Sequence, residues 1–158
     1  MRAANREHSV SVAIDPRLLA KFSAMAPLQH MQARVLEFDG RHLRVAAPIQ
    51  PNLNDKGTAF GGAMTSLMTI AGWLLVSQNL IDGDSVPDVY VTESQAHFSR
   101  VVTTDMVATV WLASNTFENV ALQLRRRGKV RVRTESKIEG TDGIAGAVMS
   151  AVYAAVIK

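Results

Sequence analysis

The spacing of apolar positions changes period several times along this chain, and each change marks an element. "IDPRLLAKFSAMAP" begins with a helix start signal, with Asp15 as N-cap, Pro16 at the first helical position and Pro27 as a stop. "MQARVLEFDGRHLRVAAPI" reads as two strands joined at Asp39-Gly40, a dipeptide that favours hairpin turns. Positions 57–81 carry no charge, and a long helix is expected over about 61–80. "DGDSVPD" then breaks the chain.

Beyond this break the pattern turns to strands. "VYVTESQAHFSRV" suits one, although its alternation is imperfect, and "DMVATVWLAS" suits another, rich in β-branched and aromatic residues. "FENVALQLRRRG" looks like a short helix closed by Gly128. Val130, Val132, Thr134, Ser136 and Ile138 alternate with Arg131, Arg133, Glu135 and Lys137, the signature of a half-solvated strand. "GIAGAVMSAVYAAVI" has no charge and reads as a strand buried on both faces, its alanines leaving a helix as the alternative. Strands grouped around one long apolar helix predict an α+β domain, with an antiparallel six-stranded sheet wrapping that helix. The whole chain, 1–158, is expected to be one domain, with 1–14 a flexible N-terminal extension.

Composition narrows the function classes. At 47% hydrophobic and 20% charged residues the chain has enough apolar surface for a packed core. It has no cysteine, which excludes a disulfide framework and thiolate chemistry and fits a reducing cytoplasm. The histidines (His8, His30, His42, His97) show no metal-ligand spacing, so no metal is expected. "VSVAI" is too short for the core of a signal peptide. The uncharged run is long enough to span a bilayer, but its strongly apolar part is only about 64–76, which points to a buried core helix and no membrane contact.

The segment "NLNDKGTAFGGAM", polar and Gly-rich, leads directly into that apolar helix. Its Asn-Asp-Lys-Gly-Thr-Ala-Phe-Gly-Gly run, at 54–62, resembles the loop before the central helix in hot-dog-fold thioesterases, most closely the family defined by the C-terminal domain of YiiD. "HFSRVVTTD" and "RRRGKVRVRTESKI" are similar to a strand-end segment and to the turn into the fifth strand of that fold. Phenylacetyl-CoA-type thioesterases are more distantly similar. They place an Asn six residues before a His-Gly-Gly and an Asp nine residues after the His. Here the Asn is Asn54 and the glycines are Gly61 and Gly62, but Phe60 replaces the His and Thr69 the Asp.

The resemblance implies catalytic roles for Asn54, Gly61, Gly62, Asp55 and Thr69. The N–H groups of Gly61 and Gly62, at a helix N-terminus, would stabilise a thioester oxyanion. Asn54 would hold the attacking water or the carbonyl, Asn52 would make an Asx-turn and Thr58 would cap the helix. Thr69 cannot act as a general base near neutral pH, so Asp55, Glu93 and His97 are the candidate bases. Thr58, Phe60, Arg127 and Lys129 are the candidate substrate-binding residues. Arg127 and Lys129 belong to "RRRGKVRVR", a basic run suited to the phosphates of coenzyme A or to an acidic carrier protein. That run has no interleaved aromatics, so no nucleic-acid partner is expected.

The expected activity is hydrolysis of acyl-CoA or acyl-carrier-protein thioesters by water. No cofactor is consumed, coenzyme A being part of the substrate, and the expected assembly is a homodimer or a dimer of dimers. The alternative is a non-catalytic acyl-thioester-binding module, favoured by the missing helix carboxylate. Met64, Met68 and Trp73 either line an acyl tunnel or form plain core.

Overall fold

The computed structural model describes residues 11–158. The elements follow in the order α1 (Pro16–Ala24), α2 (Ala26–Met31), β1 (Arg34–Phe38), β2 (His42–Ala47), a 3₁₀ turn (Gln50–Asn52), α3 (Gly61–Leu80), β3 (Asp88–Phe98), β4 (Met106–Leu112), α4 (Phe117–Arg127), β5 (Lys129–Glu139) and β6 (Ala145–Val156). All strands pair antiparallel in one sheet, ordered β1-β2-β4-β5-β6-β3. The α+β architecture predicted above is therefore the one observed.

α3 is the core of the molecule. Leu67, Met68, Leu74, Leu75 and Val76 are fully buried on it, and the helix packs against β2, β3, β4, β5 and β6. Burying each such side chain contributes roughly 1.5–3 kcal/mol, so helix and sheet stabilise each other. Among the described residues no helix is long and apolar enough to cross a membrane. The inward rows of the sheet alternate as expected, with Val130, Val132, Thr134, Ser136 and Ile138 on β5 buried against the core.

Several local expectations need correction. Pro27 does not stop the first helix. α1 ends at Ala24, and Pro27 sits in the first turn of α2, where its missing N–H costs nothing. β6 is a strand, but it is not buried on both faces: Ala147, Met149, Ala151, Tyr153 and Ala155 point inward, whereas Val148 and Val156 on the other row are exposed. Residues 1–10 of the expected extension lie outside the described residues. The rest of it is tethered, because Val12 donates its N–H to the Phe38 carbonyl at 2.7 Å and Ile14 packs on the core.

The imperfect alternation of β3 also has a cause. Val91 pairs with Tyr153 and Glu93 with Val152, so Thr92 is an extra residue, a β-bulge. Opposed residues share a face, and the bulge changes the parity of the strand. Val89 and Val91 face α3 before it; Ser94, Ala96 and Phe98 face α3 after it.

Candidate active site

The loop before α3 is built by two asparagines whose roles are the reverse of those expected. Asn52 is 4% exposed and makes no Asx-turn. Its Nδ2 donates to the carbonyls of Pro48 (2.7 Å) and Met31 (3.0 Å), stapling the loop to the end of α2. Asn54 is the turn residue. Its Oδ1 accepts from the backbone N–H groups of Lys56 (2.9 Å) and Thr58 (3.0 Å), and its Nδ2 donates to Thr58 Oγ1 (2.8 Å). Gly57, at φ +73°, supplies the left-handed residue the turn requires.

Two backbone bonds then aim the chain into the helix, Ala59 N–H to Val102 carbonyl and Phe60 N–H to Asn52 carbonyl, both 2.8 Å. Thr58 does not cap α3; its hydroxyl is taken by Asn54. The N-cap is Phe60, and no side chain caps the helix and no acidic residue occupies its first turn. Among the described residues no side-chain cap or first-turn acidic residue compensates the N–H groups and partial positive charge of that turn.

Two aromatic rings frame this helix mouth. Phe60 is 54% exposed, and a Cβ on Gly62 would come within 2.5 Å of its ring. Phe98, at the end of β3, lies over Gly61, where a Cβ would sit 3.5 Å from the ring. One turn beyond the mouth, at Thr65, an open cavity of about 670 Å³ begins and runs along α3. Thr65, Ser66, Thr69 and Trp73 form its helical wall, the face of α3 that the core leaves partly open. Met25, Pro27 and Leu28 close it on one side, and Val89, Val91 and Ser94 on the other.

Tyr153 reaches the same cavity from β6 and donates its hydroxyl to the Thr69 carbonyl at 2.7 Å. The crossing depends on Gly72, since a Cβ there would lie 2.2 Å from the phenol oxygen. Burial pushes the Tyr153 phenol well above the usual range, so it stays a donor.

The other candidates lie elsewhere. Asp55 is at the exposed loop tip, paired with Lys56 at 2.9 Å. Glu93 and His97 are on the outer face of the sheet, turned away from α3 by the bulge, and Glu93 faces Arg131 at 3.7 Å. Arg127 and Lys129 sit beyond the other end of α3, where Arg125 approaches Asp82 at 3.8 Å. A helix of 20 residues separates them from Gly61 by about 30 Å. Within one chain the structure thus brings together Asn54, Thr58, Phe60, Gly61 and Gly62, with Thr69 further along the cavity. It leaves out Asp55, Glu93, His97, Arg127 and Lys129. Among the described residues no three His, Cys, Asp or Glu side chains cluster to hold a metal.

Sequence reasoning missed Phe98, Ser94 and Tyr153. The 65, 69, 73 spacing on an otherwise apolar helix was the available signal for the cavity.

Known structures share this architecture. A putative thioesterase from Shewanella oneidensis is 26% identical, with a TM-score of 0.77 over 89% of this chain and 95% of that one. A protein of unknown function from Chlorobaculum tepidum is 25% identical, also at 0.77, over 90% and 93%. A mutant thioesterase from Pseudomonas aeruginosa, 16% identical, matches at 0.74 over 94% and 97% and supports the hot-dog fold alone. No curated protein matches the chain. The sequence pattern described as "Putative thioesterase (yiiD_Cterm)" matches residues 17–156, which covers the loop, the helix mouth and the sheet, and the chain belongs to that family.

Proposed function

We propose that the protein hydrolyses acyl thioesters of coenzyme A or of acyl carrier protein, with the thioester carbonyl polarised at the N-terminus of α3. The observation that carries this reading is the first turn of α3, where no side chain caps the N–H groups at Gly61 and Gly62 and the cavity begins one turn away. Water attacks the carbonyl carbon, its oxygen becoming bonded there as the C–S bond breaks. The water's proton finally resides on the released thiol. Asn54 holds the loop that shapes the mouth, and the Thr69 hydroxyl orients the substrate or the water without taking the proton.

The working unit in this reading is a homodimer or a dimer of dimers in the cytoplasm. β3 is an edge strand with Tyr90, Val91 and Phe98 exposed, an arrangement that favours pairing with another strand. Antiparallel pairing of two such strands would set the Asp88 end of a second copy beside Phe98. Lys129 lies at that end, since both Asp88 and Lys129 pair with Val156. The basic run of one copy would then serve the phosphates or carrier protein bound at the other.

A second reading, an acyl-thioester-binding module without turnover, is favoured by one observation: among the described residues no carboxylate or imidazole lines the cavity. Free-thiol release from a panel of acyl-CoAs and acylated carrier protein, in wild type and Asn54→Ala, decides between them. Turnover that falls at least about tenfold in the variant supports hydrolysis at this loop. Binding of both substrate types without turnover selects the module.

A further inference from the structure

A second cleft, of about 550 Å³, opens at the far end of α3. The tip of the β1–β2 hairpin, the end of β4, the last turn of α3 and the first turn of α4 meet there. Asn79, on its wall, is eighteen helical positions from Gly61, which sets the cleft about 27 Å from the helix mouth. Three strand spacings, or about 14 Å, separate β4 from the β3 edge. The volume falls within the range of roughly 300–1,000 Å³ typical of small-ligand sites.

The cleft combines aromatic surface with two opposite charges. Trp111 and Phe117 are half-buried in its wall. His42, held at Nδ1 by Asp39 at 3.2 Å, packs on the indole with 6.4 Å between ring centroids and so fixes Trp111 in place. Arg41 and Glu118 also line the cleft, yet among the described residues neither lies within 4.0 Å of an oppositely charged group. The Asn79 amide donates to the Leu75 carbonyl at 2.9 Å, leaving its Oδ1 as an acceptor.

These features select among ligand classes. A phosphate or other simple anion would be repelled by the Glu118 carboxylate, and a simple amine by the Arg41 guanidinium. A zwitterion satisfies both, because Arg pairs with a carboxylate and a carboxylate accepts from an ammonium. We propose that this cleft binds a free α-amino acid with an apolar or aromatic side chain. Its carboxylate meets Arg41, its ammonium meets Glu118, and its side chain covers Trp111 and Phe117. Arg41 and Glu118 are exposed, so each ion pair is weak and the aromatic contact carries much of the affinity. Selectivity comes from the need for both charges at once.

Titration calorimetry on the full chain with phenylalanine, phenylpropionate and phenethylamine tests this, because the last two each lack one charge. Phenylalanine should bind at least about threefold more tightly than either. Arg41→Ala should erase the preference over phenethylamine, and Glu118→Gln the preference over phenylpropionate. Trp111→Ala should weaken phenylalanine about tenfold. The two charged positions are at the surface, so their variants should fold and keep the test decisive whatever Trp111→Ala does. No saturation by about 10 mM, equal affinity of a one-charge analogue, or a preference that survives either charge variant overturns the proposal.

Discussion

Asn54 and Thr58 are joined three times, by Asn54 Nδ2 to Thr58 Oγ1 at 2.8 Å, by Thr58 N–H to Asn54 Oδ1 at 3.0 Å and by Asn54 N–H to the Thr58 carbonyl at 2.8 Å. The asparagine is thereby committed to shaping the loop that delivers Phe60 and the two glycines. Asn54→Ala should lower kcat/KM by about ten- to a hundredfold, because a displacement of the mouth of about 1 Å has that effect. Thr58→Val removes only the hydroxyl bond, worth about 0.5–1.5 kcal/mol, and should lower kcat/KM by about three- to tenfold. Steady-state kinetics on both variants checks the pair. Full activity in Thr58→Val beside an inactive Asn54→Ala would mean that the amide touches substrate instead.

The two glycines of the mouth should not respond alike to alanine. At Gly61 the added methyl meets Phe98 at 3.5 Å, an ordinary contact, and kcat/KM should stay within about threefold. At Gly62 it meets the Phe60 ring at 2.5 Å. That ring is exposed and can swing, so stability should change by less than about 1 kcal/mol while activity falls by about tenfold or more. Thermal unfolding and kinetics measured side by side separate the two effects.

Substitutions on the outer face should leave the chemistry alone. Glu93→Gln and His97→Asn are predicted to keep both the size and the pH profile of kcat/KM, with changes within about threefold as for other surface positions. A pH profile that loses an inflection in either variant would restore that residue as a base.

Tyr153 links the cavity to stability. Its phenol is raised in the folded state, so the stability it contributes is complete below the unfolded value of about 10 and is lost as pH rises through the higher folded value. Tyr153→Phe should cost about 0.5–1.5 kcal/mol at pH 8, and the gap from wild type should shrink above pH 10. Urea unfolding across that range measures it. Gly72→Ala, which drives a methyl into the same phenol, should cost about 1–3 kcal/mol at every pH.

How far the sequence could be read follows from what each feature depends on. The central helix, the Asp39-Gly40 hairpin and the alternating β5 are dictated by local periodicity and turn chemistry, and all three form where expected. Asp39 Oδ1 accepts from the N–H groups of Arg41 (2.8 Å) and His42 (2.6 Å), so even that turn's stabilisation is local. The exchanged roles of Asn52 and Asn54 could not be read in this way. Asn52 is defined by its bonds to Met31 and Pro48, and the first of these lies 21 positions away. The gap between Arg127 and the helix mouth is likewise a matter of which end of α3 each segment reaches, which spacing along the chain does not reveal.

Thr92 decides what chemistry the cavity can offer. If the strand ran without that bulge, Glu93, Gln95 and His97 would turn inward, and Ser94, Ala96 and Phe98 outward. A carboxylate and an imidazole would then look toward α3 with no change of amino acid at either position. The difference between a hydroxyl-lined cavity and one equipped with an acid and a base is a single residue of slack in an edge strand. A slip that absorbed Thr92 into regular alternation would change the available reactions more abruptly than substitutions could.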